Sequence, residues 1–326
     1  MSGRSETSVG AHGVKPFDLS IIVVSWNVGD LLRDCLHSIE RTSGDLAVEV
    51  IVVDNGSMDG TPDMVRRQFP DVLLIASGAN LGFARANNVG LREARGRYVL
   101  FLNPDTLVRD RALLRMTAFL DTHPEFVMVG PRLTLPDGSV QPECARRLPR
   151  LPLALFEALY LHRVPHVGPV IRKRLVSTYD LDRSQEVEAI SGAAMLARRA
   201  TFIAVDGFDE TFLHTAEDAD LCARIRARGG RIQYLAEAEV VHLQGQSTAQ
   251  AVARTGAMAI FSAGTYFERS YGRRQARAYR LTVKCVQMPM FLLVGLIKVP
   301  FRGGRVDDLK ERIQLAISVW RWRLDE

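Results

Sequence analysis

Between Leu19 and Val129, short apolar runs alternate with amphipathic stretches, and each run ends in polar turn residues. The runs Leu19–Ser25 (LSIIVVS), 48–53, 71–76, Tyr98–Leu102 and 126–129 are too short for buried helices, and several are rich in β-branched residues. They read as strands. The stretches between them read as helices. In 30–39 the apolar positions Leu32, Cys35, Leu36 and Ile39 share one face. Thr61-Pro62 predicts a helix start with Thr61 as N-cap, and 84–94 and 110–121 complete the set. Strands alternating with helices at this spacing build a parallel sheet through right-handed crossovers. All the strand-to-helix turns then share the carboxyl edge, where open α/β sheets bind ligands. Three polar turns are expected to meet there: Ser25-Trp26-Asn27, Asp54-Asn55-Gly56-Ser57 and Asn103-Pro104-Asp105.

The rhythm then changes. Pro136-Asp137-Gly138 marks a turn between two short strands, and 146–174 is basic and interrupted by Pro, with one apolar helical piece at 151–161. Residues 187–196 are strand-like around Ser191-Gly192. A helix at 217–228 closes at Gly229-Gly230, and short strands follow at 231–235 and 239–242. From 247 the pattern is helical. The chain of 326 residues divides into a polar, disordered tail at 1–17 without an apolar signal region, a domain at 18–247 and a helical region at 248–326. The formal charge of +5 suits an anionic ligand or surface, and no nucleic-acid partner is expected. Four scattered cysteines lack CxxC spacing, which argues against zinc and a disulfide framework and fits a cytoplasmic location.

The turns carry the candidate chemistry. Asp54 or Asn55 can accept from a nucleobase N3–H, with Trp26 offering a flat face, and the same residues also suit a plain Asx turn. No GxGxxG follows the first strand and no GxxxxGK[ST] occurs, so dinucleotide and P-loop chemistry lose their markers. Arg85 near a helix start can meet a phosphate, and Asp105 is a natural Mg²⁺ or Mn²⁺ ligand. Asp218, Leu221, Cys222 and Ile225 share a helical face, so Asp218 points inward at a helix N-terminus, where a carboxylate stays ionised as a base requires. Glu217 lies roughly 100° round the helix from Asp218.

Seven segments in order resemble the family 2 glycosyltransferases, in particular the bacterial rhamnosyltransferase-like branch. They are VVSWN (23–27), VDNGSMDGT (53–61), NLGFARANNVGL (80–91), FLNPDT (101–106), SGAAMLARR (191–199), GFDETFLHTAEDADLCARI (207–225) and VVHLQGQS (240–247). The resemblance implies a GT-A fold, a Rossmann-like α/β architecture with a mostly parallel central sheet flanked by helices, here with a helical C-terminal extension. It implies an inverting transfer from a nucleoside-diphosphate sugar, dTDP-rhamnose above others, to a glycan or lipid-linked acceptor. Asp218 of the Glu217-Asp218 pair would be the base. Trp26, Asn27, Asp54, Asn55, Arg85 and Asn103 would line the donor site. Asp105 and His242 would hold Mg²⁺ or Mn²⁺ near the diphosphate. The chain departs from a strict DXD element because Asn103 stands at the first acidic place.

Two other readings remain at this level: a sugar nucleotidyltransferase, which would want a Gly-rich loop after the first strand, and a non-catalytic scaffold that binds sugar nucleotide. The apolar segment 285–297 lies between Lys284 and Lys298, with Arg273, Arg274, Arg277, Arg280, Arg302 and Arg305 nearby. It is short for a membrane span. It suits either an anionic membrane interface, at the inner face of the cytoplasmic membrane, or packing on the main domain or a homodimer partner.

Overall fold

The computed structural model describes residues 17–159, 179–212, 215–243, 252–301 and 306–322. In chain order the elements begin β1 (Leu19–Ser25), α1 (Gly29–Thr42), β2 (Val48–Asp54), α2 (Thr61–Gln68), β3 (Leu73–Ala76) and α3 (Phe83–Glu93). Next come β4 (Tyr98–Leu102), β5 (Thr106–Val108), α4 (Ala112–Thr122), β6 (Phe126–Thr134), β7 (Ala145–Arg146) and α5 (Leu151–Ala158). Then follow β8 (Gln185–Val187), β9 (Ala189–Ile190), β10 (Ala194–Arg198), α6 (Arg199–Ala204), α7 (Glu217–Ala227) and β11 (Arg231–His242). The C-terminal helices are α8 (Val252–Tyr271), α9 (Arg273–Thr282), α10 (Met288–Phe301) and α11 (Val306–Arg321), with one π turn at Val283–Gln287 between α9 and α10.

The main sheet runs β3-β2-β1-β4-β10-β6-β11-β5, with β8 paired to β11. Strands β1 to β4 pair in parallel, and β6 pairs in parallel with β11. Strand β10 runs antiparallel between β4 and β6, and β5 runs antiparallel along β11. This is the mixed, mostly parallel sheet flanked by helices that the resemblance implies. Its middle is apolar on both faces because helices cover both: Ile21, Ile22, Val52, Leu100 and Phe101 are fully buried.

The register aligns the functional turns. Ser25 pairs with Asp54, so the turns after β1 and β2 leave the sheet side by side. Ala194 pairs with Leu102 and His242 with Thr106, which brings Ser191-Gly192, Asn103–Asp105 and His242 to the same edge.

Several sequence expectations need correction. Thr61 is not the N-cap of α2. Gly60, at φ 82°, holds that place, and the Thr61 backbone N–H and hydroxyl both donate to Asp59. Asp59 thus supplies the carboxylate that a cap would have provided. The 110–121 helix begins at Ala112, because Thr106–Val108 first forms an edge strand on β11. The two short strands at 231–235 and 239–242 are one strand with a register shift between Leu235 and Glu239. The 187–196 run is split at Ser191-Gly192 into β9, which joins the small sheet with β7, and β10, which joins the main one. The tail before Phe17, all of 160–174, the 244–247 end of the last motif, and Arg302 and Arg305 lie outside the described residues.

A second apolar cluster joins the C-terminal helices to the sheet domain. Tyr266, Phe267, Tyr279, Val283, Met288, Ala316 and Val319 pack with Phe212 and Ala219, the latter on α7. Tyr279 stacks on Phe267 at 4.6 Å. The helical region is therefore a support for α7, the helix that carries Glu217 and Asp218. Among the described residues no helix is long and apolar enough to cross a membrane.

Candidate active site

The turn after β2 is shaped by Gly56, at φ 80°. An added Cβ there would meet the Ala79 carbonyl carbon at 2.9 Å, so only glycine lets the two loops touch. Asn55 ties them together: its Nδ2 donates to Asn80 Oδ1 (3.1 Å), and its Oδ1 accepts from the Leu81 N–H (2.7 Å). Both ends of this amide are engaged inside the fold, so Asn55 shapes the turn after β2 rather than presenting a free amide. Asp54 differs. Its Oδ2 accepts from the Ser57 N–H (3.1 Å), while its Oδ1 is buried without a partner. A buried carboxylate oxygen with no donor costs free energy until a ligand N–H reaches it.

Asn27 adopts a left-handed conformation (φ 53°), and its Oδ1 accepts from the Met58 N–H (2.8 Å), bracing the first turn on the second. Trp26 beside it is exposed. Arg85 is exposed on α3 and lies 3.8 Å from Glu210, and its contacts do not bring it to the carboxylates described next.

The turn after β4 meets the end of β11. His242 Nε2 lies 3.4 Å from Asp105 Oδ1 and 3.5 Å from Asn103 Nδ2. Asp105 is buried, and its carbonyl accepts from the Leu243 N–H (2.9 Å). Gln141 decides the state of the imidazole. Its Nε2 donates to the His242 carbonyl (2.9 Å), so its Oε1 faces His242 Nδ1 (2.9 Å). An amide oxygen can only accept, so Nδ1 carries the proton and the neutral ring keeps its lone pair on Nε2, toward Asp105. A carboxylate, an imidazole nitrogen and an amide make a donor set of the kind that binds a divalent cation. Among the described residues no group of three or more His, Cys, Asp or Glu is placed to hold a metal ion, so a cation here would take its remaining ligands from substrate or water.

The first turn of α7 supplies the acids. Ala216 precedes it at φ 71°, with no side-chain cap. Asp218 Oδ2 accepts from Arg146 Nη2 (2.6 Å) and from the Gly192 N–H (3.0 Å), and its Oδ1 accepts from the Ala219 N–H (2.7 Å). Burial alone would push Asp218 up, but the Arg146 charge and these hydrogen bonds outweigh it and hold the acid below its ordinary value. Glu217 goes the other way. Burial, then the Asp218 charge, pushes it up to about 8, and its Oε2 is buried without a partner. Asp220, the acid that is most buried in this turn, is spent on Arg224 at 2.6 Å.

One cavity of about 380 Å³ joins these parts. Gln141, Arg146, Ser191, Glu217, Asp218 and His242 all line it. A larger cavity of about 550 Å³ lies by Arg41, Arg109, Arg115 and Glu239, away from Glu217 and Asp218. The sequence reading chose Glu217, Asp218 and His242, which the cavity brings together, but it missed Gln141 and Arg146. Arg146 stood in a basic segment with nothing to separate it from Arg147 or Arg150, and Gln141 carried no motif.

Comparison with known proteins gives the family of the chain. The sequence profile described as "Glycosyl transferase family 2" matches residues 20–172. The chain is 31% identical over 246 residues to an N-acetylglucosaminyl-diphospho-decaprenol L-rhamnosyltransferase of Mycobacterium tuberculosis, covering 71% of this chain and 77% of that one. It is 26% identical over 229 residues to rhamnosyltransferase WbbL of Escherichia coli, covering 68% and 82%. Among solved structures, the mannosyltransferase PcManGT of Pyrobaculum calidifontis, in complex with GDP-Man and Mn²⁺, superposes with a TM-score of 0.54 at 18% identity, covering 97% of this chain and 90% of that one. With a relative of this identity and coverage, the chain belongs to glycosyl transferase family 2 and is a glycosyltransferase.

Proposed function

We propose that this glycosyltransferase moves a sugar, rhamnose from dTDP-rhamnose, onto a polyprenyl-diphosphate-linked glycan in cell-envelope polysaccharide synthesis, with inversion at the anomeric carbon. The observation that carries this reading is the shared cavity. Its lining includes His242, with Asp105 in contact behind, and the Glu217-Asp218 pair. A diphosphate held at the first and a hydroxyl at the second would face each other across the sugar. The rhamnosyl transfer named for the mycobacterial and Escherichia coli relatives supports the donor, and the diphospho-decaprenol in the mycobacterial name supports the acceptor.

In this scheme the unpartnered Asp54 Oδ1 accepts from the nucleobase N3–H, Trp26 flanks the base, and Asn27 and Asn55 hold the loops in shape. Asp105, His242 and Asn103 would hold Mg²⁺ or Mn²⁺. When bound, such an ion neutralises charge building on the departing diphosphate. Asp218 takes the proton of the acceptor hydroxyl while that oxygen attacks the anomeric carbon. The anomeric C–O bond to the diphosphate breaks, and its electron pair leaves with the phosphate. One displacement from the opposite face inverts configuration. Glu217, whose carboxyl is held above its ordinary range by burial and then by the Asp218 charge, lies beside the attacking hydroxyl.

Exposed Ile313, Ile317 and Trp320 recur along one face of α11, and exposed Leu281 and Leu293 lie on neighbouring helices. They support a peripheral contact with the membrane that carries the acceptor.

The test is a panel of nucleoside-diphosphate sugars scored by thermal stabilisation, with and without Mn²⁺. A true donor at 100-fold its dissociation constant adds about 2.7 kcal/mol. Stabilisation by dTDP-rhamnose, lost on Asp54→Ala, is expected. Stabilisation by no nucleoside-diphosphate sugar would overturn the reading.

A further inference from the structure

Arg146 is a largely buried cation that the transfer scheme above does not use. It sits on β7, whose pairing with β9 sets Ala145 opposite Ile190 and Arg146 opposite Ala189. That register fixes it beside the Ser191-Gly192 turn, and both Arg146 Nη2 and the Gly192 N–H reach the same atom, Asp218 Oδ2. Gly192 matters to the fit, because an added Cβ there would lie 3.3 Å from Asp218 Cβ.

The hydrogen bonds around the two acids are unequal. Every hydrogen bond made by the Asp218 carboxylate comes from a donor: Arg146, Gly192 and Ala219. An ionised carboxylate accepts at roughly four lone-pair sites, so three are filled and one is left for an incoming proton. A protonated Asp218 would have to turn an O–H into this ring of donors. Glu217 Oε2 meets no donor at all, although it is buried in the same cavity wall. The other titratable groups near the pair are Cys222 on the same helix, Arg226 beyond it, and Glu143 and His242 across the cavity, while Tyr266 and Phe267 of α8 pack on the Ala219 side.

We propose that Arg146 is a positioning residue that makes Asp218, and not its neighbour Glu217, the base of the reaction. It holds the negative charge of the acid pair on Asp218, turned so that one acceptor site stays open, and leaves the proton of the pair on Glu217. Two adjoining buried carboxylates cannot both ionise cheaply. Without Arg146 the proton would be shared between them, and the base would be blocked for part of the time. The proposal rests on the reading of Asp218 as base.

The experiment is the pH dependence of kcat/KM for wild type, Arg146→Gln, Arg146→Lys and Asp218→Asn in the full-length protein. Wild type should stay flat on the acid side down to the limit of its stability. Arg146→Gln should gain an acid limb, rising at least about tenfold from pH 6 to pH 8, as expected for a base that must shed a proton first. Arg146→Lys should restore the flat profile in part, since it keeps the charge and loses the fork. A uniform loss in Arg146→Gln with no new limb would mean that Arg146 only supports the fold, and would overturn the proposal. Full turnover in Asp218→Asn would instead remove the reading of the base beneath it.

A second measurement needs no Arg146 variant. The infrared spectrum at neutral pH should contain a protonated-carboxyl C=O band that disappears in Glu217→Gln. If that band is absent, or survives in Glu217→Gln, the proton of the pair does not lie on Glu217 and the proposal fails.

Discussion

Removing the charge of Asp218 should weaken the fold as well as the chemistry. In Asp218→Asn, Arg146 keeps its guanidinium in a wall where its Nε already lacks a partner. Breaking a buried ion pair from one side costs about 3–5 kcal/mol, because the remaining charge is left without compensation. Here the side chains retain 23% and 15% of their exposure, so water recovers part of that cost, and about 2–3 kcal/mol is the expected loss. For a domain of this size that is a fall in Tm of about 4–12 °C. Arg146→Met should cost a similar amount, since it leaves Asp218 beside Glu217 with no cation. The double variant Arg146→Met/Asp218→Asn removes both charges and should lose less than the sum of the two, by at least about 1 kcal/mol. The assay is calorimetric unfolding of the ligand-free protein at one pH, with the four proteins forming a double-mutant cycle. Strict additivity, or two single variants as stable as wild type, would show that the pair does not form in solution and would refute the reasoning.

Other consequences are open to direct measurement. Glu217 titrates at about 8 in the fold against an ordinary 4.5, so its neutral form favours folding: the contribution is complete below about 4.5 and is lost as the pH climbs toward about 8. Wild-type Tm should therefore fall relative to Glu217→Gln over that window, and parallel curves would contradict it. Gln141→Leu frees the His242 ring from its fixed tautomer and should weaken Mn²⁺ binding about 10–100-fold, read by titration calorimetry with nucleoside diphosphate present. Deleting 281–326 removes Val283, Met288, Ala316 and Val319 from the cluster that supports α7, so it should lower stability as well as any membrane binding. A truncated protein as stable as wild type would show that the helices do not support the site.

Much of the fold was legible because parallel strands covered on both faces leave runs such as LSIIVVS and YVLFL, which have few other uses. Strands β1 and β4 begin and end where those runs do. Legibility failed where a neighbour far along the chain decides local structure. Thr106–Val108 is a strand only because β11 lies beside it, and Thr61 loses its capping role to the Asp59 carboxylate. The site divides in the same way. Asp105, Glu217, Asp218 and His242 lie in recognisable local patterns at element ends. Gln141 and Arg146 are defined by partners reached through tertiary contact, His242 and Asp218, and one residue at a time they resemble any polar loop. Asn55 shows the converse: its type and place suit a ligand contact, yet the fold uses both ends of its amide.

The most direct test of the account is the configuration of the product. Transfer from a single anomer of the donor, followed by NMR of the new glycosidic centre, reports whether one displacement has occurred. With Asp218 as base on the face opposite the diphosphate, the anomeric centre should be inverted. Retention of configuration would contradict the account, because it would require a second displacement for which this site provides no role.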